Sequence, residues 1–141
     1  HDKIHFVWTS LSQQELQAHI KMAAAVIMPF LVVPSEIPLA VYEAAGMGKT
    51  VITTAPNGTG DFVAKFGETV PPGDIAALAS KMHKVAQRLA SGEDHYNPRA
   101  RAAFSRLEDW QSVAERWGAL IDQTAAVGRI VSDTVATGEC S

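Results

Sequence analysis

The sequence predicts an α/β fold: a parallel sheet with helices on both faces, followed by a helical C-terminal region. Three observations carry that expectation. From Ile4 to Leu89, short β-rich runs alternate with helical segments across short links, the pattern of a parallel sheet. The run Ala25-Val26-Ile27-Met28-Pro29-Phe30 is continuously apolar, as in a strand covered on both faces. Beyond Asn97 the strand signals stop and only helical periodicity continues. At 141 residues the chain suits one domain.

Each element has a local cause. Ile4-His5-Phe6-Val7-Trp8 alternates and is β-rich, predicting a strand. Ser12 and Glu15 form a capping box that opens a helix to about Met22. After the apolar run, residues 38–47 predict a helix with Pro38 at its first position and Gly48 at its end. Thr50-Val51-Ile52-Thr53-Thr54 predicts a strand, and Asn57-Gly58-Thr59-Gly60 a loop. A short helix over 61–65 and a brief strand over 68–70 follow. Pro71-Pro72-Gly73-Asp74 then breaks the chain and caps a long helix to about Leu89. Residues 97–123 predict helix with a break near Asp109, and Trp110 and Trp117 read as packing on one helix face. The sheet has about four strands, fewer than a free-standing doubly wound domain carries. Residues 1–124 are expected to form this partial domain, and 125–141 a tail that is weak helix or flexible.

Composition removes several classes of function. Hydrophobic residues make up 47% and charged residues 19%, giving a globular chain with a real core. The net charge is −3 with no basic stripe, so nucleic acid is not the expected partner. The single cysteine, Cys140, excludes an internal disulfide and a cysteine metal cluster, and the scattered histidines show no metal-ligand spacing. The longest apolar stretch, 22–34, holds thirteen residues and two prolines, too short and broken to span a bilayer. The chain opens on His1 without a signal peptide, so a piece of a longer, cytoplasmic protein is expected.

Glu43 is the most informative residue. It is the only charged side chain between Ile37 and Gly48. A helix that is apolar on every side should be buried, and a buried carboxylate must be hydrogen-bonded or neutralised. Either Glu43 awaits ligand hydroxyls, or it ties down the backbone of a neighbouring loop. The start of the same helix has Ile37 at its cap position, with no side-chain oxygen for the first amides. Such a start is open to an anion, and in an open α/β sheet it lies at the ligand-binding end of the strands, with Glu36 beside it. The alternative is that Ser35 caps an earlier start and Glu36 only offsets the dipole. The Asn57-Gly58 loop either brings backbone amides to a ligand or is a tight turn. Gly46-Met47-Gly48-Lys49-Thr50 imitates the end of a P-loop. However, Glu43 stands where its first glycine belongs, and Lys49 closes a helix instead of opening one.

From Ala25 to Asp74 the chain resembles the C-terminal half of GT-B glycosyltransferases, especially glycosyltransferase family 4. The residues that carry the resemblance are Pro34-Ser35-Glu36, Glu43-Ala44-Ala45-Gly46-Met47-Gly48, Val51-Ile52, Asn57-Gly58 with Asp61, and Pro72-Gly73-Asp74. It extends more loosely from Ile4 to about Asp122. What it implies is a partial Rossmann-like domain that binds a nucleotide-sugar donor, with no separate cofactor and no metal. By the same resemblance, Glu43 holds the ribose hydroxyls and Glu36 contacts the transferred sugar as the catalytic residue. Leu39 and Ala40 at the helix start meet the phosphates, and Asn57 and Gly58 complete the binding set. Six residues separate Glu36 from Glu43, where the family usually has seven.

The reaction implied is hexosyl-type transfer with retention of configuration. An Arg and a Lys that neutralise the diphosphate, and an N-terminal domain that holds the acceptor, have no counterpart in these residues. The resemblance therefore implies a fragment inactive by itself, with an acceptor of unknown identity and any peripheral membrane contact made through the missing regions. The competing expectation is a non-catalytic α/β interaction module on the same scaffold.

Overall fold

The computed structural model describes residues 4–33 and 35–137. Nine elements follow in the order α1 (Gln13–Met22), β1 (Ala25–Met28), α2 (Leu39–Gly46), β2 (Thr50–Thr54), α3 (Gly58–Val63), β3 (Glu68–Val70), α4 (Ile75–Ala90), α5 (Pro98–Ser105) and α6 (Trp110–Thr137). They fall into two compact units, residues 1–106 and 107–141. The first holds a parallel three-stranded sheet of order β1-β2-β3, with Ala25 opposite Thr50 and Ile52 opposite Glu68. The α/β class and the parallel sheet are as the sequence predicts.

Local chemistry sets the boundaries. At α1, Ser12 accepts from the Glu15 amide while Glu15 Oε2 accepts from the Ser12 amide at 2.8 Å. Asp74 caps α4 through the Ala77 amide at 2.8 Å, and Asn97 caps α5 through the amides of Arg99 and Ala100. Asp109 accepts from the Ser112 amide and marks the break before α6. That hydrogen bond, and those that Ser12 gives Glu15, hold both carboxyls below their ordinary range.

The core lies between the sheet and the helices. Val41, Ala44 and Ala45 of α2 meet Met28, Val51, Phe62, Val63 and Ala100 in one cluster with Ile20 of α1. Successive residues of β2 point to opposite faces. Val51 joins that cluster, while Ile52 turns to the face on which α4 packs with its buried Val85. Every residue of β2 is buried, since it is the central strand. Asn97 spans the start of β2 and the turn before β3, donating to Thr50 Oγ1 at 3.1 Å and to the Phe66 carbonyl at 2.7 Å.

Several expectations need correction. Residues 4–8 form no strand: Ile4, Phe6, Val7 and Trp8 are all exposed. Phe6 and Trp8 keep the i, i+2 relation of an extended chain and stack at 5.5 Å. However, β-rich composition makes a strand only where a neighbour supplies a hydrogen-bonding ladder. The sheet accordingly has three strands among the described residues, not four. β1 ends at Met28 and is not fully covered on both faces: Ile27 is 40% exposed. Helix α2 begins at Leu39, so its cap position is Pro38 and not Ile37. Helix α3 starts at Gly58, which converts most of the expected glycine loop into helix. Trp110 and Trp117 are 88% and 58% exposed. α6 runs on through Thr137, while His1, Pro34 and Cys140 lie outside the described residues. No helix among the described residues is long and apolar enough to cross a membrane.

Candidate functional site

The site is built around α2. Its first residues are exposed or half-buried, and Pro38 offers no side-chain cap. Proline carries no side-chain oxygen, so the opening amides are left without a side-chain acceptor. Ser35 makes no cap: the helix begins four residues later. Leu39, Tyr42, Glu43 and Gly46 recur at the 3–4 residue spacing of one helical face. Together with Gln17 of α1, and Arg101 and Phe104 of α5, they line a groove of about 330 Å³.

Glu43 is half-buried on that face, not deep in the core. The apolar helix turns Val41, Ala44 and Ala45 inward and leaves Glu43 toward the groove. Among the described residues its carboxylate has no hydrogen-bond or ion-pair partner. The alternative role of tying down a loop is taken by three threonine hydroxyls instead. Thr53 donates to the Met28 carbonyl at 2.9 Å, Thr54 to the Phe30 carbonyl, and Thr59 to the Glu36 carbonyl at 2.9 Å. These pin the segment between β1 and α2 from β2 and α3, with Thr53 and Thr59 wholly buried.

Glu36 is exposed and belongs to a second contact. Its side chain lies against Gly58, where an added Cβ would sit 2.6 Å from Glu36 Oε1. Asn57 holds φ at 52° and ψ at −146°, a positive-φ conformation outside the left-handed helical well and one that favours glycine, where the chain turns into α3. Tyr42 stands between the two carboxylates' surroundings: it lines the groove with Glu43, and its phenol is pushed up by burial and then by the Glu36 charge. Its ring is set edge-on to Phe62 at 5.2 Å. Thus the structure gathers Leu39 and Glu43 in one groove and Glu36 with Gly58 in an adjoining contact. Ala40 instead packs against the core, and the Asn57 side chain is exposed.

Four lining residues carry no signal that sequence reasoning picked up. Tyr42 reads simply as part of an apolar helix, and Gln17 as part of a polar one. Arg101 and Phe104 lie more than fifty residues from Glu43 in the chain. Their i, i+3 spacing places them on one face of α5 but names no partner. In the structure Arg101 Nη1 donates to the Gly46 carbonyl at 2.7 Å, and its guanidinium lies 5.7 Å from the centre of the Phe104 ring.

The family model for glycosyl transferases group 1 matches residues 1–88, more than half the chain and all of its sheet. The chain belongs to the group 1 glycosyl transferases. No curated protein and no solved structure matches it. As a group 1 glycosyl transferase, it belongs among proteins that move a sugar from a donor to an acceptor. The matched stretch contains Glu36, Glu43, Asn57 and Gly58, while Arg101 and Phe104 lie beyond it.

Proposed function

We propose that this chain carries the nucleotide-sugar donor site of its transferase, with Glu43 accepting hydrogen bonds from the ribose hydroxyls. One observation carries the reading: a half-buried carboxylate without a partner among the described residues lies one turn inside an uncapped helix start. A carboxylate accepts from two vicinal hydroxyls at once, and charge-assisted bonds of this kind are the stronger class. The open amides of Leu39 and Ala40, with the positive end of the α2 dipole, receive the diphosphate. Glu36, against Gly58, faces the sugar, with Asn57 shaping the turn beside it.

In this reading the chemistry is transfer with retention at the anomeric carbon. The chain's contribution is to stabilise charge on the departing diphosphate and to hold the sugar in line. The 141 residues by themselves bind the donor without turning it over. The helix start supplies dipoles but no full positive charge to meet the one that develops on the leaving diphosphate.

Titration calorimetry with UDP, GDP and ADP, on the wild-type chain and on Glu43→Ala, tests this. The expected result is millimolar or tighter binding of one nucleotide, about 4 kcal/mol at 1 mM. The variant should lose that binding and melt at an unchanged temperature. A fall in stability with no nucleotide bound by either protein would instead mark Glu43 as part of the scaffold.

A further inference from the structure

We propose that the cavity between the end of α4 and the start of α5 is a second, non-catalytic site, which takes the hydroxyls of a neutral saccharide. It lies at the amino ends of β2 and β3, where Thr50 and Phe66 line it, and has a volume of about 420 Å³. That size is within the range of small-molecule sites. None of its lining residues belongs to the groove of Glu43. Asn97 fixes the frame: its amide donates to the Gly48 carbonyl at 2.6 Å, and its side chain donates to Thr50 and to Phe66. A ligand there meets walls that are already ordered.

The charges of the lining balance, Arg88 and Arg99 against Glu93 and Asp94, so a free anion or cation gains no net attraction. Arg88 Nε is buried and has no hydrogen-bond partner among the described residues, although Glu93 Oε2 lies 3.2 Å away. The carboxylate answers its charge but not its N–H, and a buried donor without an acceptor is unfavourable. A hydroxyl corrects both sides at once, since its oxygen accepts from Nε while its proton goes to Glu93. Phosphate accepts from arginine but is repelled by two carboxylates, and an ammonium group has no lone pair to offer. Asp94 Oδ1 accepts from the Tyr96 amide at 2.9 Å, and its second oxygen can accept from a further hydroxyl. Tyr96 favours a saccharide over separate waters. Its ring lies so close to Gly48 that a Cβ there would have no room, yet the residue stays exposed. A fixed, exposed ring beside charged groups suits a pyranose, whose C–H face packs on the ring while its hydroxyls reach the carboxylates and guanidinium groups.

The test is an NMR titration of the labelled chain with the methyl glycosides of glucose, galactose, mannose and N-acetylglucosamine, and with inorganic phosphate as the anion control. One glycoside should give saturable shifts in the amides of Glu93 to Arg99 and move the Arg88 Nε–H signal, while Leu39 to Glu43 stay still. Phosphate should leave Glu93 to Arg99 unmoved. Arg99→Ala removes an exposed side chain and should weaken that glycoside about fivefold, the effect of one hydrogen bond, at an unchanged melting temperature. Tyr96→Leu keeps an apolar cover over Gly48 and should weaken it at least as much. Shifts from phosphate in place of a glycoside overturn the inference, as does a glycoside whose affinity neither variant changes. So does a full set of glycosides that moves nothing, which would leave the cavity to water. The donor site stands or falls separately, since the two share no residue.

Discussion

Glu43 and Glu68 are both half-buried carboxylates in the first unit, and they have opposite surroundings. Glu68, at the start of β3, receives Lys81 Nζ at 2.7 Å, with Lys84 and Arg88 each at 3.8 Å. Its side chain is only 14% exposed, and three cations from α4 answer it. The Lys81 hydrogen bond, aided by the charges of Lys84 and Arg88, holds its carboxyl below the usual range. Glu43 lies on a helix without another charge and faces a groove. One carboxylate is satisfied by the fold, locking α4 to β3. The other is left for something the fold does not provide. Burial by itself does not tell these cases apart; the partners do.

Exchanging each carboxylate for its neutral amide should separate the two roles. The largest effect is expected from Glu43→Gln, which should weaken nucleotide binding at least tenfold in calorimetry, about 1.4 kcal/mol. Its melting temperature should stay within the error of the wild type. Glu68→Gln should do the reverse, leaving nucleotide affinity intact while costing about 1 kcal/mol in urea unfolding. That lies between an exposed pair and a buried one, since Lys81, Lys84 and Arg88 remain partly solvated. Equal losses of stability in both variants would break the comparison.

Acid sharpens it further. Because the folded Glu68 carboxyl titrates below its unfolded value of about 4.5, its stabilisation is complete above that value and is lost as pH falls through the folded one. Unfolding curves taken from about pH 5 down to pH 3 should therefore be shallower in pH for Glu68→Gln than for wild type. The smallest effect on stability is expected from Gly58→Ala. The new methyl meets the end of an exposed Glu36 side chain that can swing aside, so stability should change by no more than ~0.5 kcal/mol. The Glu36 carboxylate itself must move. A moved Glu36 side-chain resonance by NMR, with the melting curve unchanged, is the check.

Much of the fold is legible because its signals are local. The Ser12–Glu15 box, the Asp74 cap and the Asn97 cap each lie within a few residues of the helix they open, and all three form. The central strand is legible because five consecutive β-favouring residues lie between turn signals. What failed depends on neighbours distant in the chain. Residues 4–8 have a strand's composition but no ladder partner in the structure. Trp110 and Trp117 have a helical spacing yet are largely exposed among the described residues. The site divides in the same way. The helix start and the lone charge of Glu43 are visible in a dozen residues of sequence. The groove is not, since it exists only once α5 brings Arg101 and Phe104 beside α2.

The three threonine hydroxyls that suspend the segment before α2 have one more consequence. They set the backbone geometry of the site from below, out of reach of any ligand in the groove. Binding then need not order that backbone, and the entropic cost of association falls mainly on the ligand. The same arrangement separates inheritance of shape from inheritance of preference. Side chains on the groove face of α2 are free to vary with the molecule they receive, while the frame that presents them stays fixed.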